Sequence, residues 1–177
     1  MINLSKTLKL EGLMSIEALV YLAEQAQNHK CIVEVGTFLG LSTRALADNT
    51  NGIVYAFDNF EGPWDMDLPV GKRKNILSTF KKNLKDHIES GKVVPIIGDH
   101  RFPPDSIINL KPDMVFIDGD HTLVAVTHDI SFWKTQLISG GLLCGDDYNF
   151  PVVKDVVQTL LGEVNTSAND RIWSINV

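Results

Sequence analysis

The sequence predicts a single doubly wound α/β domain over residues 1–177, built on a mostly parallel sheet. Three observations carry that expectation. Short β-rich runs alternate with helical stretches along the chain, and no internal repeat interrupts them. The first apolar run ends in a glycine-containing turn that leads into a helix. Four of the five runs read as parallel strands deliver an aspartate at or just past their C-terminal ends: Asp58, Asp99, Asp118 and Asp146.

Each element has a local reason. Ser15 stands as an N-cap before Ile16, Leu19, Val20, Leu22 and Ala23 at helical spacing. Residues 31–35 read as a buried strand ending at Gly36, followed by a helix over 42–48 and a second strand over 53–57 that ends at Asp58. Residues 59–75 hold Gly62, Pro63, Pro69 and Gly71 and form a long loop, a length typical of lids and binding loops. Ile76, Phe80, Leu84 and Ile88 then recur every four residues, which predicts one amphipathic helix stopped by Gly91. Strands over 93–97 and 114–117 end at Gly98-Asp99 and at Asp118. A helix over 123–137 stops before Gly140-Gly141, and a fifth strand over 142–144 ends at Asp146. A helix over 152–161 leads to two strands, 163–166 and 171–177, joined by a polar turn into an antiparallel C-terminal hairpin.

Bulk properties narrow the function. The 177 residues are 44% apolar and 21% charged, ordinary for one globular domain with a full core. A net charge of −6 argues against a nucleic-acid backbone as the main partner. Lys72, Arg73, Lys74, Lys81 and Lys82 read as a solvated helix face. Cys31 and Cys144 lie in apolar runs and read as core thiols. Neither a signal peptide nor an apolar stretch of the roughly 18 residues needed to span a bilayer is legible, so a cytoplasmic location and no membrane partner are expected.

In open α/β sheets ligands bind outside the carboxyl ends of the strands, so the aspartates mark one rim as a ligand site. Gly36 allows a tight turn there, and Gly40 is expected to let the backbone approach a ligand. The helix that follows offers unpaired N–H groups and the Ser42 hydroxyl, and Asp58, about twenty residues on, is placed to accept from both hydroxyls of a ribose. A dinucleotide site would share this outline, but its Gly-x-Gly-x-x-Gly pattern is absent: Phe38 fills the middle position. A nicotinamide oxidoreductase therefore stands as one alternative, and a tight turn with no ligand as another.

Asp118-Gly119-Asp120-His121 and Gly145-Asp146-Asp147-Tyr148 each follow a buried strand. Carboxylates from adjacent strand ends repel unless a positive charge lies between them, so Asp118, Asp146 and Asp147 are expected to hold a hard cation such as Mg²⁺. His121, three residues past Asp118, has a suitable range for a general base. Asp120 serves either this rim or as a cap for the helix starting near Thr122. Phe60, Trp64, Met66 and Tyr148 are candidates for substrate contact or for core packing, and His29, His87 and His128 read as structural.

Glu34-Val35-Gly36-Thr37-Phe38-Leu39-Gly40-Leu41-Ser42 resembles the first motif of metal-dependent class I O-methyltransferases of the catechol and caffeoyl-CoA types. The resemblance runs from about Cys31 to Tyr148 and implies a Rossmann-like, seven-stranded sheet with one reversed strand. It implies S-adenosylmethionine (SAM) as cofactor, contacted by Glu34, Gly36, Thr37, Phe38, Gly40, Ser42, Asp58, Asn59, Asp99, His100 and Asp118. Within that set Gly36, Ser42 and Glu34 attend the methionine end, Asp58 the ribose, and Asp99 and His100 the adenine. Catechol-type enzymes carry a lysine base where this chain has His121. Asp-Gly-Asp-His together with Gly-Asp-Asp-Tyr is more similar to macrolide-sugar O-methyltransferases and their cephalosporin-biosynthesis relatives. That likeness implies a sugar or natural-product hydroxyl as methyl acceptor; the cephalosporin relatives also open a SAM-binding role without O-methyl transfer. The short N-terminal region implies that the 59–75 loop or a homodimer closes the pocket.

Overall fold

The computed structural model describes residues 1–62 and 75–177. Among them the strands are β1 (Cys31–Val35), β2 (Ile53–Asp58), β3 (Val93–Ile97), β4 (Met114–Ile117), β5 (Leu142–Gly145), β6 (Asn165–Ser167) and β7 (Ile172–Asn176). The helices are α1 (Ile16–Ala26), α2 (Leu41–Asn49), α3 (Ile76–Asn83), α4 (Lys85–Glu89), α5 (Asp105–Ile108), α6 (Leu123–Gln136) and α7 (Pro151–Leu161), with a 3₁₀ turn at Thr7–Lys9.

All seven strands form one sheet in the order β3-β2-β1-β4-β5-β7-β6. β1 to β5 run parallel, and β7 is reversed against both β5 and β6. This is the doubly wound α/β fold with a reversed strand and a C-terminal antiparallel hairpin that the sequence predicts. Ala168, Asn169 and Asp170 turn the hairpin, all three at left-handed φ, with the Thr166 hydroxyl donating to Asp170.

Strand composition follows from burial on both faces. Ile32, Met114, Phe116 and Cys144 pack beneath α1, α2 and α3 with Leu22, Leu46 and Phe80. Their neighbours Val33, Val115, Ile117 and Leu143 face the other way, onto α6 and α7 with Ile130, Trp133 and Val157. Each large apolar side chain removed from water contributes about 1.5–3 kcal/mol, so the sheet is fastened from both sides. Cys144 is a buried free thiol and Cys31 a half-buried one.

Ser15 caps α1, accepting from the Ala18 N–H at 3.2 Å. Thr122, not Asp120, caps α6; Asp120 accepts from the Thr122 N–H at 2.9 Å and shapes the turn before it. The single helix predicted over 76–88 divides at Leu84 into α3 and α4. There the buried Arg44 guanidinium takes the Asn83 carbonyl at 3.1 Å and grips both Asp86 oxygens, at 2.6 and 2.7 Å. Lys81 and Lys82 are exposed, while Lys72, Arg73 and Lys74 lie outside the described residues. No helix among the described residues is long and apolar enough to cross a membrane.

β1 and β4 are neighbours, yet their following helices lie on opposite faces, so the connections diverge and leave a crevice at the carboxyl edge. Gly36 sits at this switch point with φ +83°, and a Cβ there would come within 2.1 Å of the Asp118 carbonyl oxygen. Only glycine allows the two strand ends to meet so closely.

Candidate functional site

A cavity of about 1250 Å³ opens over the carboxyl edge. Gly36, Thr37, Phe38 and Ser42 line it from the β1–α2 turn, Asp58 and Asn59 from the end of β2, and Asp99 and His100 from the loop after β3. Asp118 and His121 enter from the loop after β4, and Asp146 and Asp147 from the end of β5. The topology thus brings these candidates into one chamber, large enough for a nucleoside with an amino-acid tail.

Asp58 organises the first turn. Its Oδ2 accepts from the Thr37 and Phe38 N–H groups at 2.7 and 2.9 Å, and its Oδ1 from the Phe60 N–H at 2.6 Å. Thr37 and Phe38 are thereby held against the end of β2, with Phe38 at φ +45°.

Two residues of the first motif, Glu34 and Gly40, do not line the cavity. Glu34 is fully buried beneath the cavity wall: its carboxylate accepts from the Ser42 hydroxyl and, at 2.5 Å, from the Thr43 hydroxyl. Burial pushes this carboxyl up to about 7, against the pull of the two hydroxyls, and Asp58 adds to the rise. Glu34 therefore reaches the cavity through Ser42. Gly40 does not line the cavity either. At φ +87°, the space its side chain would take holds Leu84 and Phe80, at 2.9 and 3.1 Å, so the glycine serves the packing of α2 against α3.

Asp99 and His100 are both engaged. Asp99 is clasped by Arg101, whose Nε donates at 2.9 Å, and this holds the carboxyl down at about 2. His100 Nδ1 lies 2.8 Å from Asp129 Oδ1, and that hydrogen bond raises the His100 pKa.

The acidic cluster is built on two backbone devices. A Cβ at Gly145 would strike the Trp173 ring at 2.6 Å, so glycine lets the end of β5 press onto β7. Asp147 takes φ +58°, a conformation tolerated by aspartate better than by most residues, and its N–H donates to Asp146 Oδ1 at 2.8 Å. Asp118 is half-buried opposite; loss of water and the neighbouring Asp146 and Asp147 raise its carboxyl well above the ordinary range. Oxygens of Asp118 and Asp147 and a ring nitrogen of His121 all lie within 4.8 Å of one another. His121 Nε2 is 2.8 Å from Asp147 Oδ2, and its ring leans on Phe150.

Arg171 is a member of this cluster that the sequence does not announce. From the end of the hairpin turn its Nε donates to both Asp146 oxygens, at 2.7 and 3.0 Å, and its NH2 group lies 3.2 Å from Asp147 Oδ1. It supplies a countercharge from the protein itself. Burial still raises the Asp146 carboxyl, with Arg171 opposing the shift. The only advance signal was a cation at the start of the predicted last strand; the β5–β7 register that delivers it is not written locally.

Of the aromatic candidates, Phe60 packs edge-on against Phe80 at 5.1 Å and belongs to the core. Tyr148 is likewise buried in the core, away from the cavity lining. Trp64 and Met66, and most of the 59–75 loop, lie outside the described residues.

A family model described as a methyltransferase domain matches residues 33–148. No curated protein matches the chain. Among solved structures, one assigned as a caffeoyl-CoA O-methyltransferase from Staphylococcus aureus superimposes with a TM-score of 0.71 at 16% identity, covering 98% of this chain and 88% of that one. A methyltransferase of Podospora anserina bound to S-adenosylhomocysteine (SAH) gives 0.68 at 13% identity, with 93% and 79% covered. A TDP-rhamnose 3'-O-methyltransferase of calicheamicin biosynthesis gives 0.64 at 12% identity, with 90% and 76% covered. At these identities the likeness is one of fold.

Proposed function

Because the chain belongs to the methyltransferase domain family, we propose that it moves a methyl group from SAM to a hydroxyl oxygen of a small molecule, assisted by a divalent cation. The reading leaves the nicotinamide alternative without support. The observation that carries it is the convergence of Asp118, Asp147 and His121 in the same cavity that the turn held by Asp58 lines.

The donor set fits both groups. Thr37, Phe38 and Ser42 with Asp58 and Asn59 would hold the methionine and ribose portions, and Asp99 and His100 would border the adenine. Carboxylate oxygens of Asp118 and Asp147 suit an oxygen-seeking cation, and such a charge relieves the mutual repulsion that raises the Asp118 carboxyl. Asp146, gripped by Arg171, lies outside that donor group and would join it only with the ion pair broken. When bound, SAM supplies an electrophilic methyl and the cation makes an acceptor hydroxyl more acidic.

The protein's own part is alignment and proton transfer. His121 would take the proton of the acceptor hydroxyl as the methyl group moves from sulfur to that oxygen. Asp147, 2.8 Å from the imidazole, stabilises the imidazolium that results. A sugar or natural-product hydroxyl is the acceptor class proposed.

Calorimetry with SAH and turnover with and without EDTA test this reading. His121→Ala lowers kcat by about a hundredfold or more while SAH binding persists. Asp118→Asn abolishes Mg²⁺-dependent turnover. Full turnover in EDTA refutes the cation, and full turnover of His121→Ala refutes the base. A second reading, SAM binding without O-methyl transfer, draws on Arg171 already neutralising Asp146. Tight SAH binding with no product across a broad hydroxyl-acceptor panel selects it.

A further inference from the structure

Beneath the loop that borders the adenine end lies a second cluster of side chains able to ligate a metal, of which the methyl-transfer reading uses only His100, as part of the cavity wall. Asp129, on the inner face of α6, is 1% exposed. Its Oδ1 lies 2.8 Å from His100 Nδ1 and 3.3 Å from His128 Nδ1. Its Oδ2 is buried with no hydrogen-bond partner, next to the space beside Gly119. Buried carboxylate oxygens are seldom left so, because their lost hydration is then uncompensated.

The three donor atoms lie within 4.8 Å of one another, and the two imidazole rings stand 6.0 Å apart at 82°. Around a tetrahedral ion with bonds of about 2.0–2.1 Å, donor atoms sit about 3.4 Å apart. Of the present spacings, the 3.3 Å from Asp129 Oδ1 to His128 Nδ1 already matches that separation, and the 2.8 Å to His100 Nδ1 must open by roughly half an ångström. The carboxylate is a hard donor, but the two imidazole nitrogens are borderline ones, and a set dominated by them favours zinc-class ions over Mg²⁺. This composition contrasts with the carboxylate-rich cluster around Asp118. His128 is partly exposed, leaving a side open for water as a further ligand.

We propose that His100, His128 and Asp129 form a site for a zinc-class divalent ion, which clamps the loop after β3 to α6. Binding displaces the imidazole protons that face Asp129 and fixes the wall of the cavity that carries Asp99 and His100. The site is separate from the proposed chemistry and does not depend on methyl transfer.

Metal-stripped full-length protein is titrated with Zn²⁺ against a chromophoric chelator, and with Co²⁺ followed by its visible ligand-field bands. Wild type and Asp118→Asn bind one ion with the same affinity at this site. His100→Ala and His128→Ala each weaken it by about tenfold or more and lose the Co²⁺ spectrum. Circular dichroism checks folding, and His128→Gln replaces the alanine variant if helix is lost. No saturable binding, loss of binding in Asp118→Asn, or its persistence in both histidine variants overturns the proposal.

Discussion

Replacing Glu34 with glutamine makes the protein more stable at alkaline pH, although Glu34 lies in the most diagnostic motif of the chain. The carboxyl is fully buried and bonded only to the Ser42 and Thr43 hydroxyls, and burial lifts its pKa from 4.5 to about 7. At ~1.4 kcal/mol per tenfold change in proton affinity, that displacement corresponds to about 3 kcal/mol. The native state holds a proton that the unfolded chain has already released between these two values. The contribution is therefore complete below about pH 4.5, declines as pH rises, and is lost above about pH 7. Glutamine keeps an acceptor oxygen and has no proton to lose, and the Thr43 hydroxyl can accept from its amide. Urea unfolding of both proteins, followed by tryptophan fluorescence from about pH 4.5 to about pH 8, isolates position 34, because every other titrating group is common to both. The Glu34→Gln curve should rise above wild type by up to about 3 kcal/mol at the alkaline end. A pH-independent difference, or a less stable variant at pH 8, refutes the assignment of a neutral buried acid.

Two further substitutions probe the strand ends. Gly36→Ala combines a left-handed φ with a Cβ placed 2.1 Å from the Asp118 carbonyl oxygen; it costs about 3 kcal/mol or more, read as a fall in the urea midpoint, with weakened SAH binding. Arg171→Ala leaves the buried Asp146 carboxylate without its cation and costs about 3 kcal/mol at neutral pH. That loss shrinks on acidification, because a carboxyl already raised by burial then protonates; Mg²⁺ raises the melting temperature of this variant more than that of wild type.

Much of the fold was legible because its causes are local. β-rich runs bounded by Gly36, Asp58, Gly98 and Asp118 mark strands whose two faces are both covered, and Ser15 announces α1 before the first helical residue. The break at Leu84 was not legible: Ile76, Phe80, Leu84 and Ile88 keep a helical period through it, and the cause is Arg44, a residue of α2. The short helix α5 also escaped notice, too brief at Asp105–Ile108 for any period to register. Gly40 looked like a ligand-facing glycine because its partners, Phe80 and Leu84, come from a distant segment.

The sequence by itself determined which residues reach the rim. A strand's end is set by its own apolar run, and in a parallel sheet all such ends lie along one edge, so Asp58, Asp99, Asp118 and Asp146 had to gather there. The tertiary structure decided what each carboxylate does once it arrives. Asp58 ties down the first turn, Asp99 pairs with Arg101, Asp146 with Arg171, and Asp118 and Asp147 converge on His121. Those assignments turn on tenths of an ångström between segments far apart in the chain, and Coulomb and hydrogen-bond energies change steeply over such distances.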